Sequence, residues 1–485
     1  MPSERITEKE GAMLALDTAA KERETLSLPA KASFFSIGTN ILSKGISILF
    51  TSIFTRILLP SEFGEYTVFA SWVGIASAIS TFELCGSVLY RGMQRWRSEY
   101  ESFLSSALGL LSVFLLSSVA LYLPLRQQIN SLTGLSTVAS ILVFLDIFFN
   151  SAINFFSASC RYFYRHRALF IINLAYTLLF QGGALLLIRL FRLGGEGRIY
   201  ASVGTAVLLG LPLLIYILLR GKRFFSRHVW KFLLLFNLPL FPQHLSRTVS
   251  AHADRVIIER YFGEGVLAKY SVALSAGLIL SIVVSGLNSA LVPWIFRKVA
   301  AGKAETVRRV GSDAVRLISI STLMFLAIAP EALSILAPKE YSDALFVVYP
   351  SAASVMPSFA ASLITSAKMQ KEHNFPTMAA SVISAITTLL FNIVLLPRVG
   401  YTFASVNLLI GALLTLILLY IFSGRDGRAA VNPRALLESH IFLLGGASVL
   451  YFLKEVPPVR VFVLILLAVL LLLEAFSVKE ILIDK

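Results

Sequence analysis

Arg56-Ile-Leu-Leu-Pro-Ser-Glu-Phe-Gly-Glu-Tyr66 lies between two long apolar runs, and Arg260-Tyr-Phe-Gly-Glu-Gly-Val-Leu-Ala-Lys-Tyr270 lies between two more, 204 residues later. Both segments leave one run on an arginine and enter the next on a tyrosine. A second pair keeps nearly the same offset: Ser159-Cys-Arg161 with His166 corresponds to Ser366-Ala-Lys368 with His373. A shared offset at shared places in the run order marks an internal repeat, each copy built from six runs. Six is even, so the copies keep one orientation and form parallel repeats about an axis along the membrane normal, with the working site between them.

The surrounding sequence shows what the runs are. The 485 residues are 56% hydrophobic and 15% charged, with a mean hydropathy of +0.77, whereas soluble domains hold roughly 25% charged residues. Apolar runs long enough to span a bilayer, about 20 residues each, occur at 33–55, 66–90, 102–124, 135–159, 168–190, 199–219, 231–252, 266–296, 312–336, 343–367, 376–396, 401–422, 435–453 and 459–476. The expectation is an all-α polytopic membrane protein of fourteen transmembrane helices: a polar cytoplasmic leader 1–32, a lobe 33–220, a second lobe 221–424 and a C-terminal helix pair 425–485 outside the repeat. The leader is not a signal peptide, because its one apolar stretch, Met13 to Leu16, is too short.

Lys and Arg outnumber Asp and Glu 43 to 28, and the surplus reads as topology. The N-terminal tail and alternate connections hold 28 of the basic residues, the intervening connections 12, which puts both termini in the cytoplasm. The segments Arg189 to Arg198 and Arg255 to Lys269, three basic residues each, fall on the outer side. Cys85 and Cys160 are the two cysteines, too few for a disulfide framework or a zinc site.

Phe54-Thr-Arg-Ile-Leu-Leu-Pro-Ser-Glu-Phe-Gly-Glu-Tyr66, Leu238-Pro-Leu-Phe-Pro242, Asp254-Arg-Val-Ile-Ile258 and Lys269-Tyr-Ser-Val272 resemble the polysaccharide and O-antigen flippases of the multidrug/oligosaccharidyl-lipid/polysaccharide superfamily. The resemblance implies a bacterial inner-membrane flippase that moves undecaprenyl-pyrophosphate-linked oligosaccharide from the inner to the outer leaflet by alternating access. It also implies a groove for the lipid tail on spans 13 and 14. The partners expected are that lipid-linked substrate, membrane lipids and polysaccharide polymerase or assembly proteins. No nucleic acid, cofactor or metal is expected, and the chain is expected to act as a monomer, with Na+ or H+ gradients as the candidate drives.

Polar residues within spans face a cavity or a partner helix. Span 1 carries Asn40, Ser43, Lys44 and Ser47 in one stripe. Span 2 carries Ser80, Glu83, Ser87 and Arg91, and span 4 carries Asp146, Asn150, Asn154, Ser157 and Arg161, which fall within about 80° at 100° per residue. Span 7 carries His244, Arg247 and Arg255, with Asp254 at the border of that face and with Pro239 and Pro242 to kink it. The mid-span cations Lys44 and Arg247 stand 203 apart at near-equivalent repeat positions and are the expected pyrophosphate site, since a basic residue at a helix centre costs about 2.5–3.5 kcal/mol and needs a partner. An ion pair with Glu83, Asp146 or Asp254 is the competing role. Arg91, Arg161, His244, Arg255, Asn40, Asn150 and Asn154 complete the expected cavity, and Glu83, Asp146 and Asp254 are the candidates for ion coupling.

Two other functions fit less well. A cation-coupled drug antiporter of the same superfamily usually has an acid in span 1, where this chain has Lys44. A membrane glycosyltransferase or polymerase needs a sizeable external loop, and the connections here are all short. The chain also lacks a glycine-lysine phosphate loop for hydrolysing ATP.

Overall fold

In lipid a backbone N–H or C=O must find its partner inside its own segment, which leaves the helix as the form open to these runs. The computed structural model describes residues 38, 41–369, 375–424 and 430–483, and no strand occurs among them. The leader, Asn40 and His373 lie outside the described residues. The first half runs through α1 (41–57), α2 (Pro60–Ser80), α3 (Ser87–Arg95), α4 (Tyr100–Thr133), α5 (Thr137–Tyr162), α6 (His166–Phe191) and α7 (Gly194–Gly221). The second runs through α8 (Arg227–Asn237), α9 (Phe241–Phe262), α10 (Glu264–Gly277), α11 (Leu280–Ala300), α12 (Ala304–Ala327), α13 (Ala329–Leu336), α14 (Leu345–Ala353), α15 (Val355–Met369), α16 (Phe375–Val394), α17 (Leu396–Val399) and α18 (Phe403–Phe422). The C-terminal pair is α19 (Pro433–Phe452) and α20 (Pro457–Ile483).

The chain is a multi-pass membrane protein. Ten helices among the described residues are long and apolar enough to cross a bilayer, and the α10–α11 pair, bent by 44°, makes an eleventh. The three expected spans that fall short of this are 33–55, 66–90 and 231–252. The first is described only from α1 onward. The second is interrupted at residues 81–86, and the third is split into α8 and α9 around residues 238–240, where Pro239 and Pro242 were expected to kink it. The α2 helix packs against α9 across the two halves.

The repeat is visible in the elements: α2 begins at Pro60 and α10 at Glu264, the offset of the matched segments. Where these helices meet, Gly64 leaves no room for a side chain, since a Cβ there would sit 2.1 Å from the Glu264 carbonyl oxygen. Gly74, three turns along, lies equally close to the His252 ring. A buried core of Leu84 in the 81–86 break with Leu89, Met93, Leu108 and Phe155 of α3–α5 also takes in Val229 and Leu233 of α8. The chain therefore leaves the first half's core at the 238–240 break. The α19–α20 pair packs on α12. It is fastened by Arg460, whose guanidinium donates bidentately to Glu331 at 2.7 Å and to the Ala327 carbonyl at 2.9 Å.

Candidate functional site

At the end of the molecule that carries Arg91, Arg161 and their basic neighbours, a cavity of about 620 Å³ opens between the halves. Ser87, Tyr90 and Arg91 of α3 and Tyr162 of α5 form one wall; His244 of α9 with Thr365 of α15 forms the other. Two expected site residues, Arg91 and His244, thus face one space, and two more touch its walls. Arg161 Nε donates to the Tyr90 hydroxyl at 2.9 Å, and Glu83 Oε1 stands 3.4 Å from His244 Nδ1. Arg91 is exposed and has no carboxylate within ion-pair distance among the described residues. An exposed guanidinium beside an imidazole suits a bidentate anion such as a phosphate.

Glu83 reaches this place by a route the spacing did not suggest. The expected continuous helix through Ser80, Glu83, Ser87 and Arg91 is broken at 81–86. Phe82 and Glu83 both take left-handed backbone, with φ of 49° and 53°, which is strained for residues with a side chain. Tertiary contacts hold the break: Asn237 Nδ2 donates to the Phe82 carbonyl at 3.0 Å. The Phe82 ring also stacks between Phe114 and Phe241, with centroids 5.5 and 4.6 Å away.

The α5 stripe divides. Asp146 is 4% exposed and accepts from Ser202 Oγ of α7 at 3.0 Å and from Asn150 Nδ2 at 2.9 Å. Asn154, two turns on, is exposed, and Arg161 ends the stripe at Tyr90. No cation pairs with Asp146 among the described residues. One turn before Ser202 on α7 stands Arg198, expected in an outer connection and found 6% exposed. Its guanidinium lies 4.7 Å from the Phe54 and Phe63 ring centres and 4.1 Å from that of Tyr66. Its Nε and Nη1 have no hydrogen-bond partner among the described residues. The three rings come from α1 and α2, far from 198 in sequence, so linear reading had no signal for this burial.

Lys44 is exposed on α1, with no ion-pair partner among the described residues. Arg247 is on α9, where it lines a second cavity, of about 360 Å³, within the second half. Asp254 lines the same cavity but is engaged, accepting from the Tyr270 hydroxyl and from the Arg255 backbone N–H. Arg255 turns its Nη1 toward His252 Nδ1 at 3.3 Å and the Ala251 carbonyl at 3.4 Å. The rest of this cavity is lined by small apolar residues, among them Ala361, Ala385 and Ala412, interleaved with Ser, Thr and Asn of α16 and α18 that the sequence reading missed. Their signal was present: 381, 384, 388 and 392, and 407, 411 and 415, recur at three- and four-residue steps, one face of a helix in each case.

A family model of polysaccharide biosynthesis proteins matches residues 30–299, and no curated protein matches the sequence. Among solved structures, the fold is similar to the lipid II flippase MurJ in an inward closed conformation, with a TM-score of 0.66 and 13% identity over 93% of this chain and 100% of that one. It is also similar to a multidrug resistance MATE family transporter of the MOP superfamily in its inward-facing conformation, at TM-score 0.60 and 14% identity over 85% and 96% of the two chains. The outward-facing conformation of a transporter of that description gives TM-score 0.59 and 12% identity over 83% and 96%.

Proposed function

The chain belongs to the polysaccharide biosynthesis protein family, and from that premise we propose that it is a flippase carrying an undecaprenyl-pyrophosphate-linked oligosaccharide from the inner to the outer leaflet. The observation that carries this reading is the cavity between the halves, where Arg91 and His244 face a common space at the basic end. By the charge bias, that end lies in the cytoplasm of a bacterial cell, as do both termini, and the Gly64–Glu264 contact joins the halves toward the opposite end. The two lobes, 33–220 and 221–424, rock about that contact so that the cavity opens alternately to each side. Fixed cations replace the hydration shell of the pyrophosphate where an unpaired charge would be prohibitive, and Lys44 on α1 extends the cationic surface. Glu83, Asp146 and Asp254 are the acids to which ion coupling is assigned.

The test is transport of the lipid-linked saccharide in reconstituted vesicles. Removing a charge-assisted contact worth about 1.5–3 kcal/mol makes Arg91→Ala at least about tenfold slower, while Arg91→Lys keeps part of the rate. Full transport by Arg91→Ala at normal expression refutes the assignment. Reporter fusions at Ser423–Arg434 and Pro338–Asp343 check the topology; the expected result is inside for the first and outside for the second. The second reading, a cation-coupled antiporter, draws on the likeness to MATE transporters and on the buried Asp146. It requires gradient-driven movement of organic cations, which the flippase reading does not.

A further inference from the structure

The cavity inside the second half has chemistry unlike that of the basic cavity. Arg247 and Asp254 are its charged lining residues, of opposite formal charge. The hydroxyls of its α16 and α18 walls spend their protons on helix backbone: Ser384 Oγ donates to the Gly411 carbonyl at 2.8 Å, Thr388 Oγ1 to the Ser384 carbonyl at 3.0 Å, and Thr415 Oγ1 to the Gly411 carbonyl at 2.8 Å. Each hydroxyl oxygen is then left as an acceptor. Asn407, 1% exposed, donates through Nδ2 to the Thr388 carbonyl and to Asn392 Oδ1, both at 2.7 Å. Its own Oδ1 receives no hydrogen bond among the described residues. A buried acceptor left without a donor is costly, and Asn407 forms part of the cavity wall.

Small polar residues also serve helix packing, and at Gly411, where a Cβ would lie 2.7 Å from Thr388 Cγ2, they do. Packing does not account for the space beside that contact. At about 360 Å³ it equals the liquid volume of roughly a dozen waters at ~30 Å³ each, far more than a bare ion needs. Neutral walls with surplus acceptors and one guanidinium suit a neutral polyhydroxyl ligand and do not suit a pyrophosphate. Arg247 follows His244 by one turn on α9, a rise of about 4.5 Å, so the two cavities are adjacent in the order in which a pyrophosphate is followed by its first sugar.

We propose that the α9–α16–α18 cavity is the subsite for neutral sugar residues of the lipid-linked headgroup, with Asn407, Thr388 and Thr415 as its acceptors and Arg247 at the junction with the phosphates; this rests on the flippase reading above. The test compares binding of bare undecaprenyl pyrophosphate with binding of the same lipid carrying one hexose or hexosamine residue, using full-length protein in nanodiscs. Wild type binds at least one glycosylated form tighter than the bare lipid. Asn407→Leu and the near-isosteric Thr388→Val and Thr415→Val each reduce that preference severalfold, and Thr388→Val combined with Thr415→Val reduces it by about tenfold, with bare-lipid affinity unchanged. Arg91→Ala weakens both lipids alike. Absence of any sugar preference in wild type, equal losses for bare and glycosylated lipid in the well-folded valine variants, or sodium binding that they abolish while sugar preference stays intact, would each overturn the proposal. Unchanged bare-lipid binding in Arg91→Ala, with the sugar preference still lost in the valine variants, instead refutes the phosphate site and leaves the sugar subsite standing.

Discussion

Arg198 and Arg460 are both about 95% buried, 6% and 5% exposed, and the first half and the C-terminal pair solve that problem differently. Arg460 is neutralised by a fork of two hydrogen bonds to Glu331 and anchors α20 to the end of α12. Arg198 has no such acid among the described residues. Three aromatic faces hold it. An ion pair with its hydrogen bonds made is rigid and loses heavily when one member is removed. A cation on ring faces is held by weaker, less directional attraction, and here the rings belong to α1 and α2, helices at the contact between halves. The C-terminal pair is built as a fixture, and the α1–α2–α7 junction as a contact that can be remade.

The comparison can be broken most directly at Glu331. Glu331→Ala leaves Arg460 buried without its acid, and because Glu331 is itself half-exposed stability falls by about 1.5–3 kcal/mol, read as an earlier thermal transition in detergent; Glu331→Gln recovers part of it. No loss would mean the fork is ornamental and the contrast false. Next comes Gly64→Ala, which sets a methyl group against the Glu264 backbone and shifts Phe63 and Tyr66, two walls of the cage. An overpacked contact of this kind costs about 1–3 kcal/mol. Gly265→Ala, whose nearest neighbour is a Pro60 side-chain carbon at 4.0 Å, is the matched control and changes stability little.

Arg198→Met sharpens the contrast further. It removes the charge and keeps the length among the rings, and because replacing buried charge by apolar bulk is often neutral or better, stability changes by less than about 1 kcal/mol. A loss as large as that of Glu331→Ala would make the two arginines equivalent. The smallest expected effect on stability is that of Asp146→Asn, which still accepts from Ser202 and changes it by about 0.5 kcal/mol, within the range of a single hydrogen bond. Its readout is transport: with Glu83→Gln in the same chain, flipping loses its response to an imposed ion gradient, and a response that persists removes both acids from coupling.

Much of this architecture was legible beforehand. The offset between Arg56–Tyr66 and Arg260–Tyr270 located two equivalent helix starts, because a repeat keeps its punctuation where the chain must leave and re-enter the membrane. The apolar runs located the spans, and Pro239 with Pro242 located the α8–α9 break, since proline withholds the N–H that a continuous helix needs. The α16 and α18 polar faces were also written in the spacing and went unread, being composed of residues as small and as neutral as ordinary helix contacts. The break at 81–86 was not written there. Gly86 alone hints at it, and the cause lies in Asn237 and Phe241, more than 150 residues away.

What the sequence determined, then, is whatever follows from one segment's own chemistry: helices from apolar length and symmetry from recurrence, with the distribution of Lys and Arg supplying the expected sidedness. Tertiary structure alone decided which polar residues share a space. Lys44 and Arg247 are near-equivalent by repeat position and both are exposed, yet only Arg247 lines the cavity within the second half; Arg198, in a segment that scans as a connection, is buried among three rings. Periodicity fixes the side of its own helix on which a residue stands. The neighbour that side meets is set by how helices hundreds of residues apart pack, and burial, hydrogen bonding and the energetic cost of a charge depend on that neighbour.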